Sequence, residues 1–397
     1  MAILLPCLPL DVLYLIFDHF VVDPQAGPPW ITQHRQKQGD LRRFSLVCRQ
    51  LKSVVTPLLW RHLLVERSKH CAALFHTLLY TPSLREHAYS FACYLTIGEE
   101  SYTSNSDETD THERFSSCQR RIANATRRHS PVCLDERAKE VLRRARINYD
   151  EASGLVHPAS DFATRAVASI LLLLPSLEDV SVMLPWWYHG LELRLRSAEI
   201  LHESIGGQPP SWGPALGSLC TLRLQCGRPY NGVGSYGGGF QPGFVQQLFM
   251  APNVRSIEFH GDVGFFKHRY LSGSTEMQPL PEELMSKFGQ IECLRLSRSK
   301  ASPGTIKLLL NKCTSLTSLS WTSTELACQF TNVSGIEEAS LDETLAQVSK
   351  TRRHLHLDIR HKRRSGVEYV RSLSEFPRLE RLVIDLASLT GAPTILE

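Results

Sequence analysis

What the sequence lacks narrows its chemistry first. Its eleven cysteines are an odd number, scattered singly without one CxxC pair, and its sixteen histidines follow no pattern. A disulfide framework and a zinc module are both excluded as readings, and reduced thiols lead us to expect a cytoplasmic or nuclear protein. No HExxH, GxSxG or GxxxxGK[ST] string occurs, so no catalytic, metal or cofactor site is expected and the chain reads as a non-enzyme. Apolar runs such as Ile170 to Leu174 fall far short of the roughly 20 residues that span a bilayer, so no membrane partner is expected. The apolar start has no basic region before it and is broken by Asp11, unlike an export signal. A marked excess of one charge sign is lacking as well, with 44 Lys or Arg against 40 Asp or Glu. A net +4 over 397 residues is too mild to point to nucleic acid.

With 42% hydrophobic and 21% charged residues, the composition is that of a folded chain long enough for several domains or a repeat array. Three textures follow one another. Residues 1–65 read as helical. In LPLDVLYLIFDHF (8–20), Leu10, Leu13, Ile16, Phe17 and Phe20 make one apolar stripe, while Val12 and Leu15 make a second. Packing inside one domain uses only one such face. After a proline-rich interruption at 23–30, residues 40–60 suggest a helix capped by Asp40, with Leu41, Phe44, Cys48 and Leu51 on one face and Pro57 closing it.

Residues 99–150 change character. Six acidic and no basic residues lie between Glu99 and Glu113, and then ten Lys or Arg against three acids between Arg114 and Arg146. So polar a run cannot bury enough surface to order itself, which predicts a flexible charged insertion, helical at most from Asp135 onward.

From 151 to 397 one phrase recurs. LPSLEDVSV (174–182), LGSLCTLRL (216–224), APNVRSIEF (251–259), FGQIECLRL (288–296), CTSLTSLSW (313–321) and FPRLERLVI (376–384) share apolar residues at places four, seven and nine. A degenerate copy, RRHLHLDI, occupies 352–359, and residues 66–98 resemble a first unit with a Pro82-Ser83-Leu84 turn. Amphipathic runs precede most copies, giving a unit of helix, short loop and strand. Such a unit cannot bury its own apolar face, and stacking the copies builds one core. Uneven spacing predicts an irregular α/β solenoid.

The opening residues now support a comparison. Leu8-Pro9, Asp11, Leu13, Ile16 and Phe17, then LRRFSLVCR (41–49), then Pro57-Leu58-Leu59-Trp60 resemble, in that order, the elements of an F-box, with a joint at 21–39 longer than a minimal F-box has. The later repeats resemble those of leucine-rich-repeat F-box proteins in architecture, without the family's Asn or Cys signature. The resemblance implies an N-terminal helical module that binds a Skp-type adaptor of a cullin-based (SCF-type) ubiquitin ligase, and a solenoid that captures a target protein for ubiquitination. Carried over residue by residue, the adaptor-facing set is Leu8, Pro9, Leu13, Ile16, Phe17, Val47, Cys48 and Trp60. A helix apolar on two sides suits a module that reserves one side for a partner.

Two other readings stand beside this one. One is that the helical start is only the cap of a plain repeat scaffold, although the order of motifs exceeds what capping demands. GVGSYG (Gly232–Gly237) is a literal GxGxxG, but the residues around it lengthen the tight strand-to-helix turn that a dinucleotide site needs. It reads better as a loop offering Tyr230, Tyr236 and Phe240 to a target. His260 with Asp262 reads as a polar loop, and the basic run Arg360 to Arg364 as a solvated turn.

Overall fold

A computed structural model of the chain describes residues 8–22, 28–66, 68–94, 134–150, 155–157, 162–184, 216–226, 247–260, 286–299, 303–323, 340–346, 349, 353–358, 362–363, 366–367 and 376–384. These residues fall into two compact units, one running through 182 with 216–219, the other made of 183–184 and the residues from 220 onward.

The first unit begins with three helices, α1 (Leu10–Asp18), α2 (Pro28–Ser45) and α3 (Arg49–Arg61). Three expectations are corrected here. Part of the proline-rich joint is helix: α2 starts at Pro28, because a proline in the first helical turn gives up an amide that has no partner there. Asp40 therefore sits inside α2 and pairs with Arg43 at 2.8 Å instead of capping. The cap of the next helix is Cys48, whose Sγ accepts the Leu51 amide at 3.5 Å. Nor does Pro57 end that helix. Leu51, Val54, Val55 and Leu58 are all buried on one face of α3, and their burial, at roughly 1.5–3 kcal/mol each, outweighs the one hydrogen bond lost at the proline.

Strand β1 (His62–Val65) follows α3 directly. Next come α4 (Ser68–Tyr80), a 3-10 turn (Pro82–His87), β2 (Ser90–Cys93), α5 (Glu136–Arg144), a hairpin of β3 (Asn148–Asp150) and β4 (Leu155–His157), α6 (Phe162–Leu173) and β5 (Asp179–Leu184). β1, β2 and β5 pair in parallel, Leu63 with Phe91 and Phe91 with Val180. Residues 99–133 lie outside the described residues. The rest of the predicted charged insertion, 134–150, belongs to the folded unit: Leu134, Ala138, Val141 and Leu142 are buried, and Asp135 caps α5 as its sequence suggests.

Three arginines tie these helices together by donating to the carbonyls at helix C-termini, which have no partner within their own helix. Arg85 donates Nε to Leu78 O (2.6 Å) and Nη2 to Leu79 O (3.0 Å), closing α4. Arg137 closes α6 through two donations to Leu172 O, at 3.1 and 2.8 Å. Arg165 closes α5 through Ala145 O and Arg146 O. Burial lowers the pKa of Arg85, with Asp135 opposing the shift, and takes Arg137 down to about 10.

The second unit holds β6 (Thr221–Cys226), β7 (Ser256–His260), β8 (Cys293–Ser299), α7 (Pro303–Leu310), β9 (Ser318–Ser323), α8 (Leu341–Ala346), β10 (His354–Asp358), a short hairpin of β11 (Lys362–Arg363) and β12 (Gly366–Val367), and β13 (Arg381–Ile384). Part of the basic run expected as a turn is thus a strand. β6, β7, β8, β9, β10 and β13 lie side by side in that order, all parallel.

The recurring sequence phrase is a geometric unit. Place seven runs in register as Leu222, Ile257, Leu294, Leu319, Leu355 and Leu382, and place nine as Leu224, Phe259, Leu296, Trp321, Leu357 and Ile384. All but the last of each row are at most 2% exposed. In the copies at 216, 251, 288 and 376 the place-four amide donates back to the place-one carbonyl, which sets the turn. Each strand is then started by one carbonyl of its neighbour accepting two successive amides: Cys220 O from Arg255 and Ser256, Arg255 O from Glu292 and Cys293, Glu292 O from Thr317 and Ser318, Thr317 O from Arg353 and His354, Arg353 O from Glu380 and Arg381. Tyr89 O does the same for Glu178 and Asp179 in the first unit. The degenerate copy obeys the rule as strictly as the clear ones.

Candidate functional site

Along α1, Leu13 and Phe17 are one helical turn apart and completely buried, and Phe20 continues that stripe half-buried. They close a small core with Leu41, Leu51, Val54, Val55 and Leu58. Phe17, Phe20 and Phe44 form a ring triad with centroids 5.0 to 6.2 Å apart, the two contacts to Phe44 edge-to-face. Arg61 Nη1 reaches Asp18 at 3.0 Å, and Lys37 Nζ donates to the His19 carbonyl. Both fasten the end of α1 to the later helices.

Much of the rest of α1 is uncovered. Leu15, on the flank opposite Leu13 and Phe17, is 70% exposed, and Leu10, in the first turn, 51%, with Val12 and Tyr14 also exposed. At the turn between α2 and α3, Leu46 is 86% and Val47 64% exposed, the chain being turned there by the Leu46 amide donating to Arg43 O and the Val47 amide to Phe44 O. Scattered exposed leucines are ordinary, but six of the ten large apolar side chains exposed among the described residues sit on these two short stretches. Arg42, Arg43 and Arg49, all exposed, flank the turn.

The eight residues expected to face an adaptor therefore divide. Val47 and Pro9 are exposed, and Leu8, Ile16, Cys48 and Trp60 are part-buried, Leu8 and Cys48 resting on the core. Leu13 and Phe17 are corrected: they are wholly enclosed by this domain and hold α1 in place. The expected set missed Leu10, Leu15 and Leu46. The second apolar stripe of the opening helix signalled Leu15, and the Leu-Val pair inside SLVCR signalled Leu46; Leu10 belongs by spacing to the buried stripe, and its position in the first turn of the helix is what leaves it exposed.

The second unit offers a polar face. Place eight points away from the core and aligns Arg223, Glu258, Arg295, Ser320, His356 and Val383 across successive strands. Glu258, buried, takes Arg223 Nε at 3.3 Å and Arg295 Nη1 at 3.5 Å on the same oxygen. Ser320 Oγ and His356 Nδ1 are hydrogen-bonded at 3.0 Å. Tyr230, Tyr236, Phe240, the Gly232–Gly237 string and Asp262 lie outside the described residues. Among the described residues no group of three His, Cys, Asp or Glu is placed to hold a metal ion, and no helix is long and apolar enough to cross a membrane. No protein-family model matches the chain, and no curated protein matches it.

Proposed function

We propose that this protein is the target-recognition subunit of a cullin-based ubiquitin ligase, its three N-terminal helices binding a Skp-type adaptor and its repeated strand units capturing the target. The observation that carries this reading is the uncovered apolar flank of α1 and the α2–α3 turn, next to a core already complete without them. Leu10, Leu15, Leu46 and Val47 are each more than half exposed and lie outside the small core, and burying apolar area against a partner stabilises association. The order of F-box-like elements in the sequence names the partner class. The second half is read as an irregular α/β solenoid of leucine-rich-repeat type, since β6 to β10 and β13 stack in parallel, four of their copies share one turn, and β7 to β10 and β13 each start on a carbonyl of the neighbouring strand. Such a receptor needs no catalytic residue of its own, because it acts by holding a target near a charged conjugating enzyme.

Co-expression of the full chain with a Skp-type adaptor and affinity capture tests the proposal. The wild type retains the adaptor, and Leu15→Asp with Val47→Asp releases it with the thermal midpoint unchanged. A double variant that still retains the adaptor refutes the assigned surface, and a wild type that retains none leaves the plain scaffold as the reading.

A further inference from the structure

We propose that the Skp-type partner read above covers the α2–α3 turn with an apolar pocket bordered by carboxylates; the assignment rests on that reading. Leu46 and Val47 fill the pocket, and Arg42, Arg49 and Lys52 meet the carboxylates.

Seven lysines and arginines lie on α1 to α3, and four of them are engaged within the first unit. Arg35 pairs with Glu66, Arg43 with Asp40 and Arg61 with Asp18, while Lys37 donates to the His19 carbonyl. The other three, Arg42, Arg49 and Lys52, are exposed and form no ion pair among the described residues. They bracket Leu46 and Val47 along the chain. Residues 41–52 contain no Asp or Glu, so nothing in that stretch neutralises them. Their placement also gives their own fold little. The first turn of α3 has no acidic residue, and Arg49 and Lys52 stand at its positive end, where the helix dipole opposes a cation. An incoming carboxylate reverses that balance, since it meets the side chains and the helix end together. A partner surface wide enough to cover Leu46 and Val47 also takes water from the neighbouring cations, and carboxylates on its border offset that cost. An anionic bilayer fits less well. Asp11, exposed and without an ion pair among the described residues, lies one turn before the exposed Leu15 on α1, where lipid phosphates would repel it.

Exposed ion pairs add little affinity, so the effect lies in the association rate and its dependence on salt. Stopped-flow mixing of the full chain with a purified Skp-type adaptor measures both. Association of the wild type slows about tenfold between about 50 mM and about 500 mM NaCl. Arg42→Gln, Arg49→Gln and Lys52→Gln together slow it about tenfold at the lower salt, remove most of the salt dependence and leave dissociation within about twofold. All three side chains are exposed, so the thermal midpoint of the triple variant stays that of the wild type. Lys312→Gln, a change of an exposed cation in the second unit, leaves the kinetics unaltered. A wild type that binds with no salt dependence, or a triple variant that associates as fast as the wild type, overturns the carboxylate border and leaves the adaptor reading standing. A wild type that does not bind the adaptor at all overturns both. Vesicles of phosphatidylcholine with about a quarter phosphatidylserine leave the full chain in solution on sedimentation. Sedimentation that the triple variant loses, while its adaptor kinetics match the wild type, overturns the protein partner in favour of an anionic bilayer.

Discussion

Replacing Asp135 by alanine removes two interactions with one change. Oδ1 accepts the Ala138 amide at 2.7 Å and caps α5, and Oδ2 pairs with Arg85 Nη1 at 2.6 Å. Loss of an aspartate cap costs about 1 kcal/mol. The larger effect falls on Arg85, whose side chain is only 4% exposed and whose other donors are committed to the carbonyls closing α4. Stripping a buried charge of its partner costs about 3–5 kcal/mol, and here water can reach the vacated position, because the Asp135 side chain is 37% exposed. We therefore expect a total loss of about 3 kcal/mol in the first unit. Asp135→Asn keeps a good cap and loses the charge, so it should show about two thirds of that loss. Arg85→Met added to Asp135→Asn should recover part of it, since no uncompensated charge remains. Native-state hydrogen exchange of the α4 and α5 amides reads these numbers locally, without assuming that a chain of two units unfolds in one step. Exchange unchanged within about 0.5 kcal/mol in Asp135→Ala would refute the linkage.

Acid should loosen the first unit. Burial lowers His34, which Arg42 pushes further down against Glu66, and His76, each from 6.5 to about 4. Both are neutral in the fold and take up protons more readily when unfolded, so the stability they protect is whole above pH 6.5 and drains as pH falls toward 4, by up to about 3 kcal/mol for each. His76→Gln should flatten that part of a denaturation-midpoint profile, and an unaltered profile would contradict it. Leu13→Ala should cost about 2–5 kcal/mol by chemical denaturation, because it leaves a hole among fully buried neighbours, whereas Leu15→Ala should cost less than about 0.5. Equal losses would mean that the two flanks of α1 are misassigned. Arg146 closes α5 with φ 50°, a left-handed conformation, so Arg146→Gly should raise the thermal midpoint slightly, by about 0.5–1 kcal/mol of stability. A fall would contradict that assignment.

The strands were legible because a parallel sheet with one apolar face writes its period of two into the chain: Ile257 and Phe259, or Leu294 and Leu296, mark core positions without help from other residues. Even the weak copy at Leu355 and Leu357 could be placed by its alternation. The helical start was legible in part. Two stripes on α1 could be counted, but which of them faces inward depends on Phe44 and Leu51, distant in sequence, and Leu13 and Phe17 were therefore expected on the wrong side. Strand β1 was missed because α3 runs into it with no turn residue between Arg61 and His62. The cap at Cys48 was missed because a thiol is a weak acceptor and gives no composition cue. Nor does patterning reveal the charge cluster at Glu258: the arginines of the two neighbouring strands, 35 and 37 residues away along the chain, meet it only through register.

Calorimetric titration of a purified Skp-type adaptor into the full chain at several temperatures bears most directly on the central claim. If the exposed flank of α1 and the Leu46-Val47 turn are covered by that adaptor, the wild type gives saturable heats with a negative heat-capacity change, and Leu15→Asp with Val47→Asp abolishes them. Absence of binding by the wild type, or binding whose heat-capacity change survives the double substitution, contradicts it.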